Sequence, residues 1–162
     1  MNNTHSSVIV LTAFFSALTG NVRAQNPALP VIPTNAFHVT EYGAVGDGQT
    51  LNTTAIQKTI DAASKAGGGI VVVPEGRFLS GPFILASRIN LHLDKGATIL
   101  ISDDMTKHPV VKARYQDCIS VGNAQDIEIS GEGTIDGQGR AWWARFAPVT
   151  GRNPCHPTPT LP

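Results

Sequence analysis

Apolar side chains return at a stride of eight along the middle of this chain: Leu85, Leu93 and Ile101, then Ile119, Ile127 and Ile135. Few folds use that stride. A surface helix repeats its apolar face every three to four residues, and a half-buried strand alternates at two. A stride of eight fits one short strand and one turn, laid down repeatedly. Three strands and three turns make a coil of roughly 24 residues, the repeat of a right-handed parallel β-helix, an all-β solenoid. The candidate strands are Ile70–Val73, Phe78–Leu79, Pro82–Leu85, Ile89–Leu93, Thr98–Ile101, Ile119–Val121, Ile127–Ser130 and Thr134–Ile135. Within Ile89–Leu93 the apolar positions alternate with Asn90 and His92, as a single-layer coil requires. His92 is therefore expected to face solvent and to ligate nothing.

Glycine supplies the corners. Between Ile129 and Trp143, Gly131, Gly133, Gly137 and Gly139 surround the short strand Thr134–Ile135, which is followed by Asp136 and a tryptophan pair. Glycine at this density turns a chain where a Cβ would clash. Gly96–Ser102 reads as an earlier copy of the same unit. With 16 glycines and 11 prolines in 162 residues, the composition favours one modest, turn-rich β domain. The 12 basic and 12 acidic residues cancel, so net charge implies neither a nucleic-acid partner nor a membrane surface.

One segment departs from the β pattern. From Thr53 or Thr54 to Ala66, a stripe of Ala55, Ile56, Thr59, Ile60 and Ala63 recurs at helical spacing. Asn52, Thr53 and Thr54 offer N-cap oxygens, and Thr54-x-x-Gln57 would make a capping box. Gly67 can take the left-handed position that ends the helix. Ahead of the first coil, this helix is expected to cover an end of the stack that would otherwise leave backbone edges bare. Asn52-Thr53-Thr54 is also a formal glycosylation sequon. The loop Tyr42–Thr50 contains Gly46-x-Gly48, too little of a G-x-G-x-x-G for a phosphate cradle.

The flanks differ from the middle. Val8–Leu18 is an apolar run too short to span a bilayer, followed by Val22-Arg23-Ala24, the pattern of a secretory signal cleaved after Ala24. Met1–Ser7 has no Lys or Arg, a departure from the usual signal. The expected organisation is a signal peptide at 1–24, an extended leader at 25–36, the solenoid at 37–146 and an irregular tail at 147–162. Pro154, Pro157, Pro159 and Pro162 bar a regular strand in that tail. Such a protein is secreted or periplasmic and holds no membrane segment once the signal is removed. An oxidising compartment permits a Cys118–Cys155 disulfide, although Cys118 in an expected strand reads as a small buried hydrophobe. The histidines at 5, 38, 92, 108 and 156 show no two-ligand spacing, so no metal site and no cofactor are expected.

Two sets of three ordered segments carry a family resemblance. Phe37-x-Val-Thr-x-Tyr-Gly-Ala-x-Gly-Asp-Gly48, the capped helix and Gly67-Gly-Gly-x-Val-x-x-Pro-x-Gly76 resemble the first part of the pectin-lyase-like superfamily. Ser80-Gly-Pro-Phe-x-Leu85, Asn90-Leu-x-Leu-x-x-Gly-Ala-Thr98 and Gly131-x-Gly-Thr-Ile-Asp-Gly-Gln-Gly-x-x-Trp-Trp143 resemble glycoside hydrolase family 28, the polygalacturonases and rhamnogalacturonases. The resemblance implies a monomeric enzyme that hydrolyses galacturonate linkages of pectin with inversion, using one carboxylic acid for the leaving oxygen and carboxylates to activate water. It also implies that those groups come in Asn-Thr-Asp, Asp-Asp, His-Gly and Arg-x-Lys motifs downstream of Trp143. None of the four follows in this chain. No catalytic residue is therefore expected within it, and the solenoid is expected to be incomplete at its C-terminal end.

The remaining chemistry-bearing residues have plainer accounts. Asp103-Asp104 lies upstream of the catalytic region and reads as a solvated turn, and Asp136 before Gly137 as an Asx turn. Trp142 and Trp143 are the candidate sugar-stacking pair, weighed against packing on the outside of the coil at the start of a short helix. Arg140, Arg145 and Arg152 could pair with uronate carboxylates, against a scattered surface set. Two readings of function follow: the N-terminal part of a secreted pectin hydrolase, inactive alone, or a non-catalytic exported β-helical protein that binds carbohydrate or a partner. The bare end is expected to make the isolated chain unstable or prone to aggregate.

Overall fold

The computed structural model describes residues 28–111 and 114–146, and the side chains of 111, 114, 115 and 143–146 fall outside that description. The signal segment, the tail, His5, Cys155, His156 and Arg152 lie outside the described residues. Strand β1 (Ala36–His38) leads through a 3-10 helix, Val39–Tyr42, to β2 (Asp47–Leu51) and helix α1 (Thr53–Lys65). Then follow β3 (Gly69–Val73), β4 (Gly76–Ser80), β5 (Phe83–Leu85), β6 (Ile89–Leu93) and β7 (Ala97–Ile101). A 3-10 helix, Met105–Lys107, precedes two short strands, β8 (Val110–Val111) and β9 (Arg114–Tyr115). The last elements are β10 (Ile119–Val121), β11 (Glu128–Gly131), β12 (Thr134–Asp136) and α2 (Gly139–Phe146).

These strands form three walls. The first runs β1-β3-β6-β11, the second β2-β4-β7-β12 and the third β5-β10. Every pairing within the walls is parallel. The chain visits the walls in turn, so each circuit lays one coil on the last. Inward side chains then stack in columns: Val71, Leu91 and Ile129 on the first wall, Phe78, Ile99 and Ile135 on the second. Val71, Leu91 and Ile99 are fully buried and Phe78 is 1% exposed. Each such side chain stabilises the coil by roughly 1.5–3 kcal/mol.

The stride of eight is the step from wall to wall, but the coils are not of one length. From Val71 to Leu91 is 20 residues, and from Leu91 to Ile129 is 38. The longer coil carries an insertion between β7 and β10 that holds the second 3-10 helix and the antiparallel β8–β9 pair. The uniform coil of about 24 residues is corrected on both counts. Counting strides missed the insertion because its residues have no apolar period.

Corners repeat more faithfully. Gly68, Arg88 and Asp126 precede β3, β6 and β11 at matching register positions, and all three have positive φ, at 115°, 61° and 56°. Only the first is glycine, because there a Cβ would meet the Arg88 carbonyl at 2.5 Å. Positive φ in two non-glycine residues marks a turn imposed by the coil rather than by local preference.

In the first circuit, α1 stands where the third wall would have its strand. Its buried Ala55, Ile56, Thr59, Ile60 and Ala63 are the predicted stripe. A Schellman closure ends it: Gly68 N–H donates to Ala63 and Gly67 N–H to Ser64, with Gly67 at φ 90°. The predicted capping box is corrected. Asn52 is the N-cap residue but makes no side-chain cap bond. Its amide, 1% exposed, instead bonds Val45 N–H at 2.7 Å and the carbonyls of Val45, Thr50 and Leu79 at 3.0, 2.7 and 3.4 Å. Thr53 Oγ1 accepts from Gly81 N–H at 2.6 Å. Tertiary partners outcompete the local cap because the helix start abuts the coil. The same burial closes the sequon in the folded chain, since Asn52 has no free amide for a glycan.

The loop expected at Tyr42–Thr50 also contains β2, which pairs irregularly with β4 and carries few apolar residues to reveal it. Asp47 shapes this strand: its carboxylate accepts from Gln49 N–H, Thr50 N–H and Thr50 Oγ1 at 2.7–2.8 Å.

Candidate functional site

An aromatic contact and a chain of polar bonds come together where the insertion meets α2. Ser102 follows β7, is 4% exposed, and its Oγ accepts from Asp104 N–H at 3.2 Å. Asp104 Oδ1 in turn accepts from Thr106 N–H at 2.9 Å and Thr106 Oγ1 at 2.7 Å, capping the 3-10 helix. That helix brings His108 back, 4% exposed, with Nε2 donating to the Ser102 carbonyl at 2.6 Å. Trp142 meets the His108 ring edge to face, with centroids 5.0 Å apart at 87°.

The approach of α2 is set by Gln138. Asp136 Oδ1 accepts from Gln138 N–H at 2.8 Å, the Asx turn, and Gln138 Nε2 donates to the Ile101 carbonyl at 2.7 Å. This ties the helix start to the end of β7 and lays Trp142 over the insertion. Sequence reasoning missed both Gln138 and His108 in this role. Their partners are distant in sequence, and neither lies in a periodic pattern.

Trp142 is thus half-buried and engaged, and the side chain of Trp143 is outside the described set. Arg140 is exposed at the helix start, while the side chains of Arg145 and Arg152 are not described. The expectation that Cys118 is buried is corrected: it is exposed, just before β10, and only its carbonyl enters the ladder, accepting from Phe83 N–H.

A second polar group lies on the outer face of the first wall. His92 Nδ1 is 2.8 Å from Ser130 Oγ, Ser130 Oγ donates to Asn90 Oδ1 at 2.8 Å, and His92 Nε2 is 3.5 Å from Asp94 Oδ1. His92 does point outward, but it is engaged rather than free. The run resembles a nucleophile–base–acid set, yet the serine proton goes to Asn90, so Ser130 oxygen accepts from the ring. The hydroxyl is not aimed at a base. It joins β6 to β11 across two coils.

Three carboxylates, Asp47, Asp104 and Asp136, hold turns, while Asp94 faces His92 and Asp61 accepts from Gln57. Asp47 shows it most, its pKa lowered to about 2 first by the Thr50 hydroxyl, then by the Thr50 and Gln49 amides. Among the described residues no group of three or more His, Cys, Asp or Glu could hold a metal ion. Nor is any described helix long and apolar enough to cross a membrane.

Stacked three-walled coils of parallel strands, begun by a helix in place of a strand, define a right-handed parallel β-helix. Within that class, the chain belongs to the rhamnogalacturonase A/epimerase, pectate lyase-like family, whose model matches residues 36–137. It is 41% identical over 125 residues to a probable polygalacturonase of Vitis vinifera, covering 67% of this chain and 26% of that one. Over 112 residues it is 40% identical to the plasmin and fibronectin-binding protein A of Streptococcus pneumoniae, covering 64% of this chain and 15% of the relative. A hyperthermoactive exopolygalacturonase from Thermotoga maritima superposes with a TM-score of 0.65 at 35% identity, over 72% of this chain and 28% of that chain. This chain therefore spans about a quarter or less of the length of these proteins. The family resemblance and the fold read from the motifs both hold.

Proposed function

We propose that this chain is the N-terminal portion of a secreted glycoside hydrolase that cleaves galacturonosidic bonds of pectin-type polysaccharide with inversion, and that it is inactive alone. The observation that carries the proposal is the pairing of polygalacturonase likeness with a first segment in which Asp47, Asp104 and Asp136 serve turns. Inverting hydrolysis needs an acid and a base on opposite faces of the sugar, roughly 6.5–9.5 Å apart. Asp47, Asp104 and Asp136 are each committed to neighbouring N–H groups instead. In this reading residues 1–24 are a signal cleaved after Ala24, the mature enzyme is a monomer outside the membrane, and the catalytic carboxylates lie in coils beyond this chain.

Two measurements test it. DNA past the Pro162 codon, read in all three frames, is expected to encode Asn-Thr-Asp, Asp-Asp, His-Gly and Arg-x-Lys in order. The purified chain is expected to release no reducing ends from polygalacturonate. Hydrolysis by the chain itself, or DNA encoding nothing of the kind, would overturn the reading.

A second reading, a non-catalytic exported binding protein, draws on the likeness to the plasmin and fibronectin-binding protein A. Trp142 of α2, lying against His108 of the insertion, would then report the ligand. Tryptophan fluorescence that responds to oligogalacturonides, and loses the response in Trp142→Ala or Trp143→Ala, favours it. A flat titration counts against it.

A further inference from the structure

We propose that Asn90, His92, Asp94 and Ser130 form a clasp between the coils of β6 and β11 that tightens in mild acid, when the imidazole carries two protons. Ser130 Oγ gives its one proton to Asn90 Oδ1 at 2.8 Å, so it turns a lone pair toward His92 Nδ1, 2.8 Å away. Across the ring, His92 Nε2 lies 3.5 Å from Asp94 Oδ1, and an ionised carboxylate only accepts. Both ring nitrogens therefore face acceptors. A neutral imidazole has one N–H and satisfies only one of them. The imidazolium donates to both, and Asp94 gains an ion pair whose two side chains are 38% and 46% exposed.

The backbone fixes this geometry at a joint of the coil stack. Asp94 N–H donates to the Val73 carbonyl at 3.0 Å, and Ala97 N–H donates to the Asp94 carbonyl at 3.0 Å, so the carboxylate stands on the corner after β6. The chain leaving β11 rests on that same corner. There the Leu93 carbonyl accepts from Glu132 N–H at 3.0 Å and from Gly133 N–H at 3.2 Å. In register, Ser130 lies opposite His92 and Glu128 opposite Asn90. The second proton on His92 therefore acts where one coil is seated on the previous one.

The surrounding charges favour the same form. On β3, Val72 lies beside His92 and brings no charge, and His38 of β1 is one strand further along that row. On β11, Glu128 precedes Ser130 by two residues on the same face, and Glu132 follows the strand; both acids are exposed. Lys95, exposed after Asp94, opposes them. A contribution that needs the protonated ring is complete in acid and is lost as pH rises through the titration of that ring. It also needs Asp94 ionised. The clasp therefore holds below the ordinary imidazole range and above the ordinary carboxylate range, and it loosens toward neutral pH.

Nitrogen-15 shifts of the His92 ring in the 162-residue chain read the proton positions directly. Both nitrogens are expected to be protonated at about pH 5, and the neutral ring at about pH 8 to keep its proton on Nδ1. A neutral ring protonated on Nε2 would overturn the proposal, because Ser130 would then donate to the ring and one proton would serve both sides. The second readout is amide exchange at 128–131, corrected for its intrinsic pH dependence. Protection there should fall about two- to fivefold from about pH 5 to about pH 8, the scale of an exposed ion pair. The fall should shrink in Asp94→Asn, vanish in His92→Gln and persist in His38→Gln. Protection indifferent to pH, or a fall that survives His92→Gln, would also overturn it. If His92→Gln disturbs folding, the proton positions in the unaltered chain decide.

Discussion

The side chain of Gln57 does for Ile84 what a neighbouring strand would do. Its Oε1 accepts from Ile84 N–H at 2.9 Å and its Nε2 donates to the Ile84 carbonyl at 3.2 Å, so a helix supplies the ladder bonds of the missing third-wall strand. The Nε2 group also donates to Asp61 at 2.9 Å, one helical turn on. Gln57→Leu keeps helix propensity and removes all three bonds. Because Ile84 is 47% exposed, water recovers part of the loss, and a cost of about 1 kcal/mol is expected in chemical denaturation. Gln57→Glu can still accept from the Ile84 amide but sets a carboxylate beside Asp61. It should cost at least as much, and less in high salt. Amide exchange at Ile84 should rise in both variants, and unchanged exchange would remove the strand-substitute role.

Asp47 makes the stability of β2 depend on acid. Its folded pKa, about 2, lies below the ordinary 3.8, because Thr50 and Gln49 bond the ionised form. A lowered folded pKa means the contribution is complete above the unfolded value and is lost as pH falls through the folded one. The stability advantage of the native chain over Asp47→Ala should therefore be constant above about pH 4 and shrink toward pH 2. The carboxyl resonance of Asp47 should titrate with a midpoint near 2. A midpoint near 3.8 would show that the three bonds do not persist in solution.

Two glycines of the same motif should respond oppositely to a methyl group. Gly131 has φ of 100°, and a Cβ there would land on the Leu93 carbonyl. Gly137 has no heavy atom within 4 Å of such a Cβ. Gly131→Ala is expected to cost about 2 kcal/mol or more through strain and displacement of β11 from β6, whereas Gly137→Ala should stay within about 0.5 kcal/mol. Equal effects at the two positions would mean that the corner at Gly131 gives way to a methyl group.

Gly131 and Gly137 look alike in the motif, and only the neighbouring coil separates them. The same division runs through the whole chain. Features set by local period are legible in the sequence: the Ile89–Leu93 alternation, the α1 stripe and the Gly67 stop. Features set by a neighbour are not. Gln57 and Asn52 resemble cap residues because their real partners, Ile84 and Val45, become neighbours only when the coil closes. Strand β2 is hidden because an exposed, polar strand leaves no apolar alternation. The insertion is hidden because stride counting sees only what repeats. At the candidate site, Trp142 stands out in its motif, but its contact with His108 depends on where the insertion returns.

Asn52 offers the sharpest test of that hidden architecture. Its amide nitrogen faces three carbonyls, those of Val45, Thr50 and Leu79, and its oxygen faces the Val45 amide. Asn52→Ala leaves these groups without side-chain partners in a site 1% exposed, a loss of roughly 2–4 kcal/mol. Asn52→Asp is nearly the same shape but turns a donor into an acceptor. At neutral pH a carboxylate then confronts three carbonyl oxygens, so this variant should be less stable than Asn52→Ala despite filling the space. Protonation restores one donor, and burial beside acceptors raises the folded pKa of the new carboxyl above its unfolded value. The deficit of Asn52→Asp should therefore shrink as pH falls through that raised value, while Asn52→Ala shows no matching recovery. Thermal melts of the two variants across acidic pH check this, and parallel profiles would mean that the Asn52 nitrogen does not hold the loop to the coil.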